Sequence, residues 1–497
     1  MKQAIKSIKD QKVNVKESIR TATKLYDSGD YQTSLRHTNL ILRKYPYNID
    51  ALSLQFDNFI RLKNWQLALS TVDKLIKINP TGKNTVNKGC CYIILGQFQK
   101  ALDCFVSVEH KEKNNLLLLI NKGIALRNLY RYPEAIECFS YIKEVAKEYP
   151  YAAMHLGIVY HELNQFDNAI EEYKHGLTLD PKNGDIFWNL SLSLLAKGDY
   201  ENGWAAHEWR FYQTQQQMFT QVSHNIPRWD LTTYTPGMKL LIEPEQGLGD
   251  LIQFSRFIKP LADKGVYIIF AANKEYYHLA NQIDGVNEVF LTGMGIQPVA
   301  DYYCYICSLP AALRTTLENL PKPLTSFRAP DDRKELWNKK IKSDKPVVGL
   351  IWSGNPNYVF DYRRSIPLEK LIPVLPKNID YICINKQISS NDLEMCRTNG
   401  IRFVGDEIND WFDTEAIIEN VDLVVGVSTS VPTLSATMGK ETWIMLSYSA
   451  DWRWLIGRSD SPWFSDIKLF RQQTPGQNWD DVLQNISNEL KEKFGVN

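Results

Sequence analysis

An aromatic residue returns six times at a near-constant interval: Tyr31, Trp65, Phe98, Tyr132, Phe166 and Tyr200, spaced by 34, 33, 34, 34 and 34 residues. Three residues after each stands a small side chain: Ser34, Ala68, Ala101, Ala135, Ala169 and Gly203. Prolines at 46, 80 and 181 close several of the units. So regular a period restricts the fold more than any composition can. Each unit is one supersecondary element that cannot bury its apolar side alone, so neighbours must stack into a solenoid with a concave face. Within a unit, apolar residues three and four apart mark two amphipathic helices divided by a short polar turn. The small residue lets the paired helices approach, the aromatic is expected to fill the gap between them, and the proline ends the second helix. Packing accounts for every one of these aromatics, and none is assigned a ligand.

The segments GQFQKALDCF, YPEAIECF and NQFDNAIEEYKHGLTLDP resemble tetratricopeptide (TPR) units in the placement of aromatic, small residue and proline. That resemblance implies a groove suited to an extended segment or helix of another protein. After the sixth unit, GDYENGWAAHEWRF runs into QVSHNIPRWDLTTYTPGMKL, where Pro, Thr and aromatics replace helical periodicity. A linker is expected near 212–237. Trp204 and Trp209 are expected to cap the apolar end of the solenoid and dock the next domain.

From Lys239 onward short apolar runs alternate with helical stretches. Strands are expected at 239–244, 266–272, 346–352, 380–385 and 422–427, with another after Lys440. LIQFSRFIKPLADKG and LPAALRTTLENL suit helices between them. Alternating strand and helix implies parallel sheets covered on both faces. About 260 residues exceed one such sheet of five or six strands, and the charged, apolar-poor stretch at 330–345 is the natural division. The expected architecture is therefore an α-helical TPR solenoid over 1–220 and a linker over 221–237. Two Rossmann-like α/β halves follow over 238–335 and 336–497. A final helix near 478–495 is expected to close the domain and could cross back to the first half.

Three loops carry candidate chemistry. In LLIEPEQGLGDLIQF a strand is followed by Gly247 and Gly249, expected to permit a tight turn and close approach of backbone to ligand. Asp250 follows, either as a helix N-cap or as a carboxylate at the ligand-binding edge of the sheet. The glycines do not complete a GxGxxG motif, so a dinucleotide site has no support. In LIWSGNPNYVFDYRRSIPLEKL a polar loop from Ser353 through Asn355 leads to Arg363 and Arg364. These could set fixed positive charge against phosphate oxygens, or lie as surface charges paired with carboxylates. In VDLVVGVSTSVPTLSATMGKETWIML the turn Ser428-Thr429-Ser430 opens a helix, a cup of free amides and hydroxyls suited to an anion. TMGKET lacks the glycine and Ser/Thr arrangement of a phosphate loop.

Taken in order, EQGLGDLIQFSRFI, DYYCYICSLP, GLIWSGNPNYVFDYRRSIPL, DLVVGVSTSVPTLSATMGK and DWRWLIGRSDSPWFSDIKLFRQ resemble bacterial TPR-containing glycosyltransferases. Those are relatives of the family 9 heptosyltransferases and, more loosely, of TPR-bearing protein O-glycosyltransferases, including flagellin-modifying ones. The resemblance implies a GT-B-type fold and an inverting, metal-independent transfer of sugar from a nucleotide donor, with no further cofactor and with the TPR part holding a protein acceptor. It places Asp250 as the general base and Arg364 as the residue that offsets charge on the leaving diphosphate, with Arg363 beside it. Lys386 matches a lysine near the donor. Gly247, Gly249, Ser353, Asn355 and Ser428-Thr429-Ser430 fall at donor-binding positions. Two positions depart from the pattern. Where relatives read Asp-Thr-(Ala/Gly/Ser)-x-x-His, this chain has Ser428 and Thr433 in place of the aspartate and the histidine. The departures leave two other readings open: a catalytically degenerate scaffold or chaperone, and a transferase acting on a lipid-linked or surface glycan.

Composition narrows the partners. Lys+Arg and Asp+Glu each number 57, so the chain has no net charge to recruit nucleic acid or an anionic membrane. No run approaches the roughly 18 apolar residues of a membrane span, and the first residues lack a signal-peptide core. The eight cysteines are scattered, as reduced thiols are, and a cytoplasmic location is expected. Cys304 and Cys307 form a CxxC without a second pair or a histidine cluster, so no metal is expected there. Asp413-Thr414 is expected to cap a helix. The DWRW and SPWF aromatics are expected to pack the end of the second half.

Overall fold

The protein is described by a computed structural model that covers residues 15–214, 225–296, 298–324, 326–355 and 360–496. The extreme N-terminus, part of the linker, and Pro356 and Asn357 of the polar loop lie outside those residues. The chain forms two compact units, Met1–Val159 and Tyr160–Asn497.

The first unit is helical hairpins in series: α1 (Val15–Asp27) with α2 (Tyr31–Lys44), α3 (Ile49–Arg61) with α4 (Trp65–Ile78), α5 (Gly82–Ile94) with α6 (Phe98–Val108), and α7 (Leu116–Asn128) with α8 (Tyr132–Val145). Helix α9 (Pro150–Glu162) follows, and α10 (Phe166–Leu179), α11 (Gly184–Lys197) and α12 (Tyr200–His207) continue the pattern in the second unit. Every periodic aromatic is the first residue of the second helix in its hairpin. This location corrects its expected role. Tyr31, Trp65 and Phe98 stand at the turn and are only partly covered, while Tyr132, Phe166 and Tyr200 are buried. The space between paired helices is filled seven residues further on. A Cβ built on Gly89 would lie 2.4 Å from Phe105, and one on Gly123 would lie 2.5 Å from Phe139. The small residues at 34, 68, 101, 135 and 169 are fully buried, as close helix approach demands.

Each hairpin turn passes through the left-handed region two residues before the aromatic, at Gly29, Lys63, Gly96, Tyr130, Asn164 and Gly198. Glycine accepts this conformation without strain, whereas an L side chain costs about 1–2 kcal/mol there. Lys63→Gly is therefore expected to stabilise the chain by about 0.5–1 kcal/mol, the relieved strain less the entropy of the freer unfolded glycine. A urea titration of the two full-length proteins would show the midpoint moving up; a lower midpoint would mean the lysine is held there by contacts worth more than its strain.

In the second unit, a parallel sheet of order β3-β2-β1-β4 is built from β1 (Lys239–Glu243), β2 (Tyr267–Ala272), β3 (Glu288–Leu291) and β4 (Tyr302–Tyr305). A second parallel sheet has the order β10-β9-β8-β5-β6-β7. Its strands are β5 (Val347–Ile351), β6 (Asp380–Cys383), β7 (Arg402–Phe403), β8 (Leu423–Val427), β9 (Thr442–Leu446) and β10 (Ile467–Arg471). In both sheets the strand order reverses beside the first strand, between β1 and β4 and between β5 and β8, which is the doubly wound topology of a Rossmann fold. A TPR helical array followed by two such sheets is the arrangement of a GT-B-like fold. Strands β5, β8 and β9 are buried along their whole length, as parallel strands covered on both faces must be.

One apolar core runs from the last hairpins (Phe166, Leu195, Tyr200, Trp204) through the first sheet to one face of the second. The opposite face of the second sheet is covered by the closing helix α22 (Asp480–Phe494), through Val482, Leu483, Ile486 and Leu490. Trp204 docks on the α/β part as expected, edge-on to Phe254 and Trp452. Trp209 does not; it stacks on Phe187 of α11 at 4.2 Å. Trp452 of DWRW and Trp463 of SPWF turn towards the repeats, Trp463 donating to the Tyr200 hydroxyl at 2.8 Å, whereas Trp454 packs on Phe464 within the second half as expected. The charged stretch at 330–345 is largely the helix α17 (Asp331–Ile341), anchored by buried Trp337 and Ile341. LPAALRTTLENL yields only the short helix α16 (Leu309–Ala312), which stops where Arg314 enters the left-handed region.

Candidate functional site

The first loop leaves β1 at Glu243 and opens α13 (Leu248–Phe254). Its tight turn is made by Gln246, at φ 60°, not by the glycines. Gly247 is extended and serves as the helix N-cap. Gly249 faces the third loop, and a Cβ there would be in ordinary contact with the Ser430 Cα at 3.7 Å, so its spacing does not demand glycine. Asp250 is the third residue of the helix, not its cap, and its Oδ2 accepts from the Gly247 N–H at 3.0 Å. That is the half of a capping box that a glycine cap permits.

The second loop follows β5. Asp361 collects it, accepting from Arg364 Nε at 2.9 Å and from the Ser365 hydroxyl at 2.5 Å. The same hydroxyl accepts from the Gly354 N–H at 3.0 Å. A Cβ on Gly354 would fall 2.3 Å from Asp361 Oδ1 and 2.6 Å from an Arg364 nitrogen, so only glycine lets Arg364 lie here. Arg364 then donates to the Ser428 carbonyl at 2.9 Å. Ser353 is tied through its carbonyl to Asn385 Nδ2 at 2.8 Å, and Asn355 is exposed.

The third loop follows β8, neighbour of β5, and opens α21 (Ser430–Thr437) with Thr429 at the N-cap. The Ser428 hydroxyl accepts from Trp454 Nε1 at 3.0 Å. Thr433, at the histidine position of the family pattern, donates to the Thr429 carbonyl at 2.9 Å and so serves its own helix. Gly249, Asp250, Arg364 and the 428–430 turn are thus brought together at the carboxyl ends of β1, β5 and β8. These are the switch points where open α/β sheets bind ligands.

Two expected residues point elsewhere. Arg363 donates to Glu162 at the end of α9 at 2.6 Å. Burial opposes its charge, but Glu162 more than compensates and raises its pKa. Lys386 donates to the carbonyls of Gly405 and Ile408.

The residue that sequence reasoning missed is Arg453. Its guanidinium donates to Asp250 Oδ1 at 2.7 Å and to Asp451 Oδ1 at 2.7 Å. Burial works against its charge, and the Asp451 and Asp250 carboxylates outweigh burial and hold its pKa above the ordinary arginine value. Its one sequence signal was its place between tryptophans in DWRW, which reads as packing.

The loop around Asp250 is fixed from the repeat side. Arg210, after α12, makes a two-pronged contact with Glu245 at 2.7 and 2.8 Å, and Glu245 also accepts from the Cys307 N–H at 3.0 Å. Cys304 and Cys307 are buried thiols whose pKa burial pushes upward. Among the described residues no group of three or more His, Cys, Asp or Glu side chains is arranged to hold a metal ion.

The two sheets also meet at Gln282, which donates to both oxygens of buried Glu415 at 2.9 and 3.1 Å. Glu415 lies in helix α20 (Trp411–Asn420), whose N-cap is Asp410 and not the expected Asp413; Asp413 instead accepts from Arg333 and Trp337. Burial, reinforced by Glu419 and Asp410, pushes the Glu415 carboxyl up to about 8. The unfolded chain releases this proton near the ordinary 4.5, while the folded chain keeps it until about 8. Glu415 therefore favours folding most below 4.5 and loses that contribution as pH rises through 8. Glu415→Gln is expected to flatten the melting temperature between those limits and raise it at pH 9. An unchanged pH profile would show that Glu415 is already ionised in the folded chain.

Residues 157–198 match the TPR repeat family model. Protein FlbA of Caulobacter vibrioides is 25% identical over 331 residues, 60% of this chain. The chain spans about half (54%) of the length of that curated relative. Among solved structures, a tetratricopeptide repeat protein from Parabacteroides merdae is 16% identical with a TM-score of 0.38, covering 44% of this chain and 85% of that one. MamA of Desulfovibrio magneticus is 19% identical with a TM-score of 0.30, covering 34% and 97%. YrrB, described as a TPR protein with an unusual peptide-binding site, is 15% identical with a TM-score of 0.28, covering 35% and 91%. Among the described residues no helix is long and apolar enough to cross a membrane. The chain is a TPR-repeat protein with two parallel α/β sheets and a distant likeness to FlbA.

Proposed function

We propose that this protein transfers a sugar from a nucleotide donor to an acceptor hydroxyl, with inversion and without a divalent ion. The observation that carries the reading is the meeting of Asp250 and Arg364 around the 428–430 turn, at the switch points of two Rossmann-like sheets. A hydroxyl is a weak nucleophile until a positioned carboxylate takes its proton, and Asp250 is the carboxylate there. Attack on the anomeric carbon forms the new glycosidic bond as the bond to the nucleotide phosphate breaks. The electron pair leaves with the phosphate, whose charge Arg364 and the α21 N-terminus offset. The TPR groove supplies the acceptor, a segment of another protein.

Purified full-length protein, offered a panel of nucleotide sugars with candidate acceptor proteins, is expected to give glycosylated product by mass spectrometry. Comparing glycosylated proteins and surface glycans in cells with and without the gene tests the acceptor class; loss confined to glycans would replace the protein acceptor. A second reading, a degenerate scaffold that binds a protein partner, is favoured by one observation. Arg363, Arg364 and Arg453 all pair with carboxylates of the chain itself. Calorimetry with UDP, GDP, ADP, CDP and CMP separates the two, since absence of binding to all five would sink the transferase.

A further inference from the structure

Asp250 has both carboxylate oxygens engaged. Oδ2 accepts from the Gly247 N–H at 3.0 Å and Oδ1 from Arg453 at 2.7 Å. An acceptor hydroxyl approaching Oδ1 has to compete with the Arg453 guanidinium already seated on it. Arg453 comes from the other sheet's side of the site, so the pair spans the two halves. Its backbone is fixed: Trp452 and Trp454 on either side are buried, Trp454 binds Ser428, and the Trp454 carbonyl accepts from Arg471 at 2.5 Å. The pair is not wholly sealed, the Arg453 side chain being 12% exposed and that of Asp250 16%. The neighbouring Trp454 holds the Ser428 hydroxyl of the same 428–430 turn whose Ser428 carbonyl Arg364 holds. Arginine binds phosphate in the same two-pronged manner as carboxylate, so a phosphate held at this turn would compete with the carboxylates for Arg364 and Arg453.

We propose that the Asp250–Arg453 pair is an exchangeable latch: the phosphate of a nucleotide donor takes Arg453 from Asp250, and the carboxylate becomes available as a base only when donor is bound. This rests on the transferase reading and adds to it an order of events. Without donor, Asp250 is masked. With donor, Arg453 rotates onto the phosphate, Asp250 takes the acceptor proton, and the nucleotide leaves with the electron pair of the broken bond. When the nucleotide departs, Arg453 returns to Asp250 and the proton passes to water. Competition between two anions for one cation is reciprocal, so removing either carboxylate must tighten the hold on phosphate.

The test is calorimetric titration of the full-length protein and its variants with UDP, GDP, ADP, CDP and CMP. With whichever nucleotide binds wild type, Asp250→Asn and Asp451→Asn are each expected to bind about 5–10-fold more tightly. Arg453→Gln is expected to bind at least about 10-fold more weakly, with Arg453→Lys in between. Asp451 lies outside α13, so its variant keeps the test open if Asp250→Asn loses its helix start; circular dichroism identifies that case. Nucleotide binding that is equal or weaker in both carboxylate variants would overturn the latch and leave the transferase standing. No binding of any of the five to wild type or to either carboxylate variant would overturn both.

Discussion

Arg210→Ala is expected to lower the stability of the second unit by about 3–5 kcal/mol, the cost of leaving one member of a buried ion pair alone. Arg210 is 2% exposed and Glu245 is fully buried. The arginine gives Glu245 two hydrogen bonds, reaches the Ser308 hydroxyl at 2.7 Å and Glu208 at 2.6 Å, and lies over the Phe211 ring at 4.2 Å. Alanine would strand Glu245 with the Cys307 N–H and leave Ser308 without its donor. Replacing both partners together, Arg210→Met with Glu245→Gln, removes the charge that cannot be solvated and is expected to recover most of the loss. Urea titrations followed by tryptophan fluorescence would measure both. A loss under about 1 kcal/mol for Arg210→Ala would mean that water reaches Glu245 once the arginine is gone. The pair also has a functional consequence. Glu245 opens the loop that carries Asp250, so weakening it displaces the proposed base even though Arg210 touches neither donor nor acceptor.

Asp250→Asn is expected to reduce transfer by about 10²–10⁴-fold, the usual worth of a positioned general base. Asparagine keeps the size of the side chain and can still accept from the Gly247 N–H, so the helix start survives while the basic oxygen is lost. The decisive pattern is opposite movement of two quantities: the turnover number collapses while the nucleotide is held more tightly, because Arg453 no longer has a competitor. An Asp250 that served only the helix start would lower stability and leave turnover per folded molecule unchanged. Equal rates for wild type and Asp250→Asn, measured on folded protein, would remove Asp250 from the mechanism.

Much of the architecture was legible from local pattern. The six aromatics mark helix starts because a hairpin must restart its second helix at the same point in every unit. The buried strands at 239, 267, 347, 380 and 423 stood out as apolar runs because both faces of a parallel sheet are covered. Strands β3 and β4 were not read because they are short and lie at the sheet's edges. Each has only four residues, the first of them exposed, so its apolar run is too short to tell from a turn or a helix segment. The helix at 331–341 reads as a division between the halves because only two anchors, Trp337 and Ile341, hold an otherwise charged surface. Gln246 took the left-handed turn position that the adjacent glycines seemed made for; conformational freedom allows a glycine to turn but does not oblige it to.

The candidate site divides along the same line. Asp250, Arg364 and the 428–430 turn were recognisable because each follows a strand end, where a sheet's own topology delivers ligand-binding residues. Arg453 was not, because its partner Asp250 lies 203 residues earlier and its flanking tryptophans carry a packing signal of their own. Nor could the sequence show that Arg363 is taken by Glu162, 201 residues away. The sequence by itself determined what depends on neighbours along the chain: the repeat period, the strand runs and the loops at their carboxyl ends. Which charges meet was decided only by the tertiary structure, because an ion pair is set by distance in space and its strength by how much water the fold removes around it.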